Sequence, residues 1–268
     1  MILGDASANA RDWGTRTAPE IGEFGSRDGS VAVVPVGSLE QHGDHLPVAT
    51  DTLLCDAVAR RGASRVDGDV PLLVTPPLWT GLSPHHMAFG GTITLSAETM
   101  RGLLRDVAAS VLDNGFDAVF FLNGHGGNRA VLGMAVTEVG SEFPDAQVLG
   151  LTYFDLAAPF VDEYRDSEVG GMAHGGEFET SLMLHLYPDH VDDDREATYM
   201  DEPYDLGLDD LFAGGPLSVY RSFDAYSESG AIGNPDLATA EKGAGLLDGI
   251  AEELAVLLTA VHEHNREA

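Results

Sequence analysis

The sequence predicts an α/β fold in three layers, α/β/α, with a mainly parallel central sheet. Three observations predict it. Short, continuously apolar runs recur; they alternate with segments of helical periodicity; and segments rich in His and carboxylates stand where the runs end. Strands apolar throughout are buried on both faces, as parallel strands covered by helices are.

The elements follow in order. Residues 1–30 are rich in Gly, Ser, Asp and Arg and receive no assignment. Val31-Ala-Val-Val-Pro-Val36 is the first buried strand, ended by Gly37-Ser38. A helix follows Asp51, with Leu53, Leu54, Ala57 and Val58 at helical spacing. Val70-Pro-Leu-Leu-Val74 reads as a second strand, and Gly91-Thr-Ile-Thr-Leu95 as a third. Ser96 can cap the next helix, with Glu98 in its first turn and Met100, Leu103, Leu104, Val107, Val111 and Leu112 in one stripe. Gly115 ends it. Ala118-Val-Phe-Phe-Leu122 is another buried strand, running into Asn123-Gly-His-Gly-Gly-Asn128. A helix over 130–140, a strand over 147–152 and a helix over 177–186, stopped by Pro188, come next. Thr239 caps the last helix, whose Leu247, Ile250, Ala251, Leu254, Leu258 and Val261 face the core. No internal repeat is visible, and residues 192–215 form an acidic loop. The chain, 1–268, reads as one domain.

Acidic residues outnumber basic ones by 44 to 14, and Lys242 is the sole lysine. A net charge of −30 removes the basic face that nucleic acid binding requires. The acids are dispersed, as in Asp192-Asp193-Asp194 and Asp209-Asp210, which points to a solvated, salt-adapted surface and a halophilic source. No apolar run approaches the ~20 residues that cross a bilayer. Residues 1–14 lack the features of a signal peptide. A cytoplasmic protein with no membrane partner is therefore expected. The one cysteine, Cys55, excludes an internal disulfide and a cysteine-based metal site, and reads as a small buried residue.

Three segments carry candidate chemistry. The first is Gly37-Ser-Leu-Glu40-Gln-His42-Gly-Asp-His45-Leu-Pro, with Thr50-Asp51 beyond it. Glu40 and His42 are two apart, so in an extended stretch they leave on the same side. The second is Asn123-Gly-His125-Gly-Gly-Asn128, and the third is His174-Gly-Gly-Glu177-Phe-Glu179-Thr-Ser181. In open α/β sheets, sites form at the carboxyl ends of strands. Mixed carboxylate and imidazole donors suit Zn, Mn or Fe at ~2.0–2.2 Å. Five such ligands, one a bridging aspartate, can hold two metals ~3.5–4 Å apart and activate a water against a carbonyl carbon. Each piece also has a plainer reading. His42 can be a hydrogen-bonded histidine and Asp51 a helix cap. Gly124, Gly126 and Gly127 can form a tight turn or, without either standard spacing, a phosphate cradle. Glu177 and Glu179 can simply favour a helix dipole.

Taken together, Glu40-Gln-His-Gly-x-His-Leu-Pro, Thr50-Asp51, Asn123-Gly-His-Gly-Gly-Asn and His174-x-Gly-Glu-x-Glu-Thr-Ser resemble the signature segments of the creatininase family. Order and spacing match over residues 31–258, and Ala238-Thr-Ala-Glu-Lys-Gly243 resembles the family's C-terminal pattern. The resemblance implies a creatininase-like three-layer fold and a binuclear hydrolase that cleaves a non-peptide C–N bond of a small-molecule amide, cyclic amide or formamide. It implies two divalent metal ions per chain, zinc first with manganese or iron as alternatives, and a homo-oligomer, a hexamer. It places Glu40 and His125 on one metal and His42 on the other, with Asp51 bridging. Creatinine-hydrolysing members carry a further glutamate where this chain has Gly127. In members with the Gly-Gly form, a glutamate of the third segment substitutes, which points to Glu177 as the fifth ligand. His174 would then act beside the metals as a proton shuttle or substrate contact, with Glu177 the other candidate catalytic residue and Glu179 behind the ligands.

Departures from the pattern bear on the substrate. Asp44 stands where proline is usual. Neither Trp13 nor Trp79 sits where creatinine-hydrolysing members place their substrate-covering tryptophans, which argues against creatinine. Tyr153 and Phe154 are candidates to line the pocket instead, and His85 and His86 stay outside the metal set. Other family activities include deformylation in flavin synthesis and the trimming of a cofactor-precursor peptide; a non-catalytic binding protein of the same fold is the alternative of another class.

Overall fold

The computed structural model describes residues 11–201, 203, 204 and 206–267. Four parallel strands, β1 (Val31–Val36), β2 (Leu72–Val74), β3 (Ala118–Asn123) and β4 (Gln147–Thr152), form one sheet in the order β2-β1-β3-β4. The register aligns Val36 with Asn123, and Asn123 with Thr152, so three strands finish in one row. The segments after Val36 and Asn123 therefore start side by side.

Among the described residues six α-helices cover the sheet: α1 (Ala18–Gly25), α2 (Thr50–Arg65), α3 (Ala97–Asp113), α4 (Arg129–Glu142), α5 (Glu177–Leu186) and α6 (Ala240–Glu267). The pleat sends alternate residues to opposite faces. Val31, Val33, Leu72, Val74, Phe120 and Leu122 pack with α2, α5 and α6. Ala32, Val34, Val36, Leu73, Val119 and Phe121 pack with α3 and α4, and with Ile21 and Phe24 of α1. Two cores on either side of a parallel sheet make the three-layer architecture that the apolar runs predict.

The helix starts follow their caps. Ser96 Oγ accepts from Thr99 N at 3.2 Å, and Thr239 Oγ1 from Lys242 N at 3.2 Å. Helix α1 falls in the segment left unassigned; there Glu20 reaches back to accept from Thr17 N at 2.8 Å, and Pro19 sits in the first turn. Residues 1–10 of that segment lie outside the described residues. Two strand expectations are corrected. β2 starts at Leu72, because Val70 N closes a turn on Asp67 O and Pro71 has no N–H to give. Residues 91–95 form no strand of the sheet: Ile93 and Thr94 make only isolated bridges with Leu39 and Gly81, in the loops beyond the carboxyl edge. No helix among the described residues is long and apolar enough to cross a membrane.

Candidate metal centre

The site is built on the row where the strands finish. Asn123 ends β3 and braces the turn after it: its Nδ2 donates to His125 O at 2.7 Å and to Thr152 Oγ1 at 3.0 Å, while its Oδ1 accepts from His125 N at 3.2 Å and Asn128 Nδ2 at 3.1 Å. Asn128 Nδ2 also donates to Gly37 O at 3.1 Å, tying this turn to the loop after β1. The two asparagines of the Asn-Gly-His-Gly-Gly-Asn segment thus hold His125 beside Glu40 and His42. Asp51 projects back from the first turn of α2.

Around Asp51 the donors divide into two groups. Oδ1 lies 3.1 Å from His42 Nε2, and Oδ2 lies 3.2 Å from His125 Nδ1. Glu40 Oε1 lies 3.1 Å from His125 Nδ1. Glu40, Asp51 and His125 make one cluster of mutually close ligand atoms; His42, Asp51 and Glu179 make a second, and Asp51 belongs to both, while Glu40, His42 and His174 make a third without it. All five residues are buried. Each histidine is turned by a backbone carbonyl. His42 Nδ1 donates to Glu40 O at 3.1 Å, and His125 Nε2 donates to Leu82 O at 3.1 Å, so the other nitrogen of each ring faces inward. Ser38 Oγ donates to Glu40 Oε2 at 2.9 Å, which leaves Oε1 turned toward the cluster.

The electrostatics fit a cation. Glu40 Oε1 and Asp51 Oδ2 are buried and accept no hydrogen bond. Such atoms are costly unless something positive meets them. Burial alone would depress His42, but Asp51 beside it, together with Glu179 and Glu40, outweighs burial and lifts it to about 9. Burial opposes His125 as well, and Glu40 with Asp51 raises it well above the usual imidazole range. A divalent ion bound between these groups takes the place of their protons, so binding releases protons. Burial pushes the Glu179 carboxyl up to about 7. His174 is driven well below its ordinary value by burial, with His42 and His86 adding to the effect.

Glu177 does not join the cluster. Its carboxylate accepts from Asp166 N and Ser167 N at 3.0 Å each and pairs with Lys242 Nζ, the chain's sole lysine. It braces the loop before α5 against α6. Glu179 stands with the metal-site residues instead, because two residues along a helix turn a side chain by about 200°. Its Oε2 accepts from Gly175 N at 2.7 Å. Gly127 offers no substitute, since a Cβ there would lie 2.3 Å from His125 Nε2 and 2.5 Å from Leu82 O.

His174 lies beside the centre with Nδ1 3.8 Å from Glu40 Oε1. A cavity of about 330 Å³ opens onto Glu40, Asp51, His125, His174 and Glu179. Phe154 lines it, while Tyr153 is fully buried behind. His85 and His86 also line it, as do Met200, Leu208, Leu211, Leu217, Val219, Tyr220 and Phe223 from the long segment between α5 and α6. Neither tryptophan does: Trp13 stacks on Phe116 and Trp79 is half-exposed on the surface. Cys55 is buried, its Sγ donating to Leu122 O at 3.0 Å.

The profile of the creatininase family, described as creatinine amidohydrolase, matches residues 15–258. The chain belongs to the creatininase family. A mycofactocin precursor peptide peptidase of Mycobacterium ulcerans is 35% identical over 240 residues, covering 85% of this chain and 87% of the relative. A creatinine amidohydrolase of Pseudomonas putida is 33% identical over 222 residues, covering 75% and 83%. A solved manganese creatininase superposes with a TM-score of 0.79 at 28% identity, covering 96% of this chain and 99% of that one. The chain is thus a creatininase-family hydrolase with a candidate metal site.

Proposed function

We propose that the chain is a binuclear metal-dependent hydrolase that cleaves a C–N amide bond in a peptide-sized substrate. The split of Asp51 carries the metal reading, since each of its oxygens faces a different histidine and one more carboxylate completes each group. Glu40, Asp51 and His125 would hold one ion, and His42, Asp51 and Glu179 the other. Zinc and manganese both suit these donors. Bound there, the ions supply Lewis acidity, polarising the scissile carbonyl and making water acidic. The chain's own residues do the rest: the serine, asparagine and carbonyl contacts fix the donors, and the cavity walls exclude water. His174 Nδ1, 3.8 Å from Glu40 Oε1 on the cavity wall, would take a proton from the attacking water and return it to the leaving nitrogen.

The cavity supports the peptide reading over a small cyclic amide. At about 330 Å³ it lies at the lower end of the range of sites for drug-sized ligands and would take only the residues beside the scissile bond. Its outer wall is apolar, with Leu208 57% and Tyr220 72% exposed on an otherwise acidic protein. The likeness to a peptidase of a precursor peptide supports the same reading. The test is incubation with a pool of unblocked decapeptides and, separately, with creatinine, read by mass spectrometry. Chelator-sensitive cleavage beside apolar residues, restored by Zn²⁺ or Mn²⁺, is expected. Turnover of creatinine alone would replace the peptide by the small amide.

A further inference from the structure

Two histidines of the cavity wall, His86 and His174, stand outside the proposed ligand set and share one neighbour, Gln41. The Gln41 amide has a single orientation. Its Oε1 accepts from Gly43 N at 2.8 Å, and its Nε2 donates to Gly230 O at 2.9 Å. Gly230 holds it there: φ is +89°, and a Cβ would come within 2.1 Å of Gln41 Oε1. The second Nε2 hydrogen meets His86 Nδ1 at 2.8 Å. His86 Nδ1 is therefore an acceptor, and the neutral ring carries its proton on Nε2.

His174 is held by the same residue in the opposite sense. Its Nε2 donates to Gln41 O at 2.6 Å, so its lone pair is on Nδ1. The 3.3 Å approach of Gln41 Nε2 to His174 Nε2 then joins two donors and is not a bond. Both rings carry the proton on Nε2, but they are turned end for end. Each presents its free nitrogen to Glu40 Oε1, His86 Nε2 at 3.2 Å and His174 Nδ1 at 3.8 Å. The rings meet at a 40° tilt with centroids 4.4 Å apart, and Phe223 packs on both. His86 is fully buried, and its Nε2 makes no hydrogen bond despite the nearby carboxylate. A buried N–H left without an acceptor is costly, and an oxygen arriving in the cavity relieves that cost.

We propose that Gln41 is a positioning residue that fixes this back-to-back pair, so that the scissile amide meets a donor at His86 Nε2–H and an acceptor at His174 Nδ1. His86 Nε2–H then binds the carbonyl oxygen of the amide, and because that nitrogen carries the proton it has no lone pair to offer a metal. This inference rests on the hydrolase reading for its kinetics and on the ring geometry alone for its tautomers. The experiment is nitrogen NMR of protein labelled with ¹⁵N-histidine, alongside metal content and kinetics of the wild type and of Gln41→Leu, His86→Phe and His86→Gln on the decapeptide pool. A His86 ring protonated at Nε2 and free at Nδ1, becoming a mixture in Gln41→Leu, is expected. His86→Phe keeps a ring in place against His174 and Phe223 and is expected to lower kcat about 100-fold at unchanged metal content, as loss of one oxyanion donor does. His86→Gln restores an N–H and is expected to recover about tenfold of it. A proton on His86 Nδ1 in the wild type overturns the proposal, as does metal loss or unchanged kcat in His86→Phe. If no decapeptide is cleaved, the hydrolase reading has failed on that substrate, and the NMR result still decides the tautomers.

Discussion

Glu177→Gln and Glu179→Gln are expected to act in opposite ways, although one residue separates them. The Glu177 carboxylate accepts two backbone N–H groups and the Lys242 ammonium while fully buried. A glutamine sets an NH₂ against one of those donors. Removing one partner of a buried pair costs ~3–5 kcal/mol. Lys242 keeps Asp166 Oδ2 and Leu237 O, each at 2.7 Å, so the loss should fall below that range, at ~2–3 kcal/mol. For a chain of this size that is a drop of ~5–10 °C in the melting midpoint. Metal content should not change. Glu179 is different, since burial already pushes its carboxyl up to about 7 and a neutral amide relieves a buried charge. Glu179→Gln should therefore melt no lower than wild type in EDTA. It should nevertheless carry about one metal fewer per chain and lose most activity. Elemental analysis of protein purified in molar salt without chelators, with thermal unfolding followed by circular dichroism, reads both. Metal loss in Glu177→Gln at an unchanged midpoint, with full metal content in Glu179→Gln, would refute the reasoning and return Glu177 to the site.

Asp51→Asn should empty both metal positions and abolish turnover in a folded protein, because the same side chain belongs to both ligand groups; activity within tenfold of wild type would sink the bridging role. Gly127→Ala should lower activity and stability together, since its Cβ must displace His125 or Leu82 O, and unchanged kinetics would show that the turn yields freely. His45 sits with Nε2 3.0 Å from Gly175 O, and burial lowers its pKa to about 4. Its folded pKa is below the unfolded ~6.5, so its contribution is complete above pH 6.5 and is lost as pH falls toward 4. His45→Gln should therefore flatten the stability profile between those values, and an unaltered slope in the variant would contradict it. With a net charge of −30, raising KCl from 0.1 M to 1 M shortens the screening length from ~10 Å to ~3 Å and should raise the melting midpoint, whereas a fall would count against salt adaptation.

The sequence made the sheet legible because three of its strands are continuously apolar, and β4 was legible from its bounds in the chain. It misled at residues 91–95, where the β-branched alternation of Thr92, Ile93 and Thr94 serves loop bridges and not a ladder. Helix α1 went unread because a Gly-, Ser- and Arg-rich context hides eight residues started by Pro19 and Glu20. Four of the five expected metal-site residues come together, because each directly follows a strand or begins a helix at the sheet's carboxyl edge. The fifth turned on which face of α5 meets the site, and a pair spaced like Glu177 and Glu179 does not disclose that. The available signal was elsewhere. A lone lysine in α6 needs an acid, and Gly243 permits α6 to approach Ser181 O, one turn beyond Glu177. Gln41 and His86 gave no signal of their own, since their meaning lies in ring orientations that only packing creates.

Two parts of the molecule answer two different demands. The strand ends and the first turns of α2 and α5 hold the charged cluster, in which Asp51 belongs to both proposed ligand groups. Their side chains are accordingly buried and tied to backbone groups on several elements. The cavity's outer wall comes from the segment between α5 and α6, which has little regular structure and exposes apolar side chains at Leu208, Leu217 and Tyr220. A chain with 44 acidic residues against 14 basic ones, most of them outside the core, has reason to keep such side chains covered. Their concentration around one opening is what the proposed apolar, peptide-sized substrate would require. On this argument the cleavage chemistry resides in the sheet edge, and the choice of substrate resides in the loop. Exchanging residues 206–223 for the matching segment of a creatinine-hydrolysing relative should move specificity while leaving metal content unchanged.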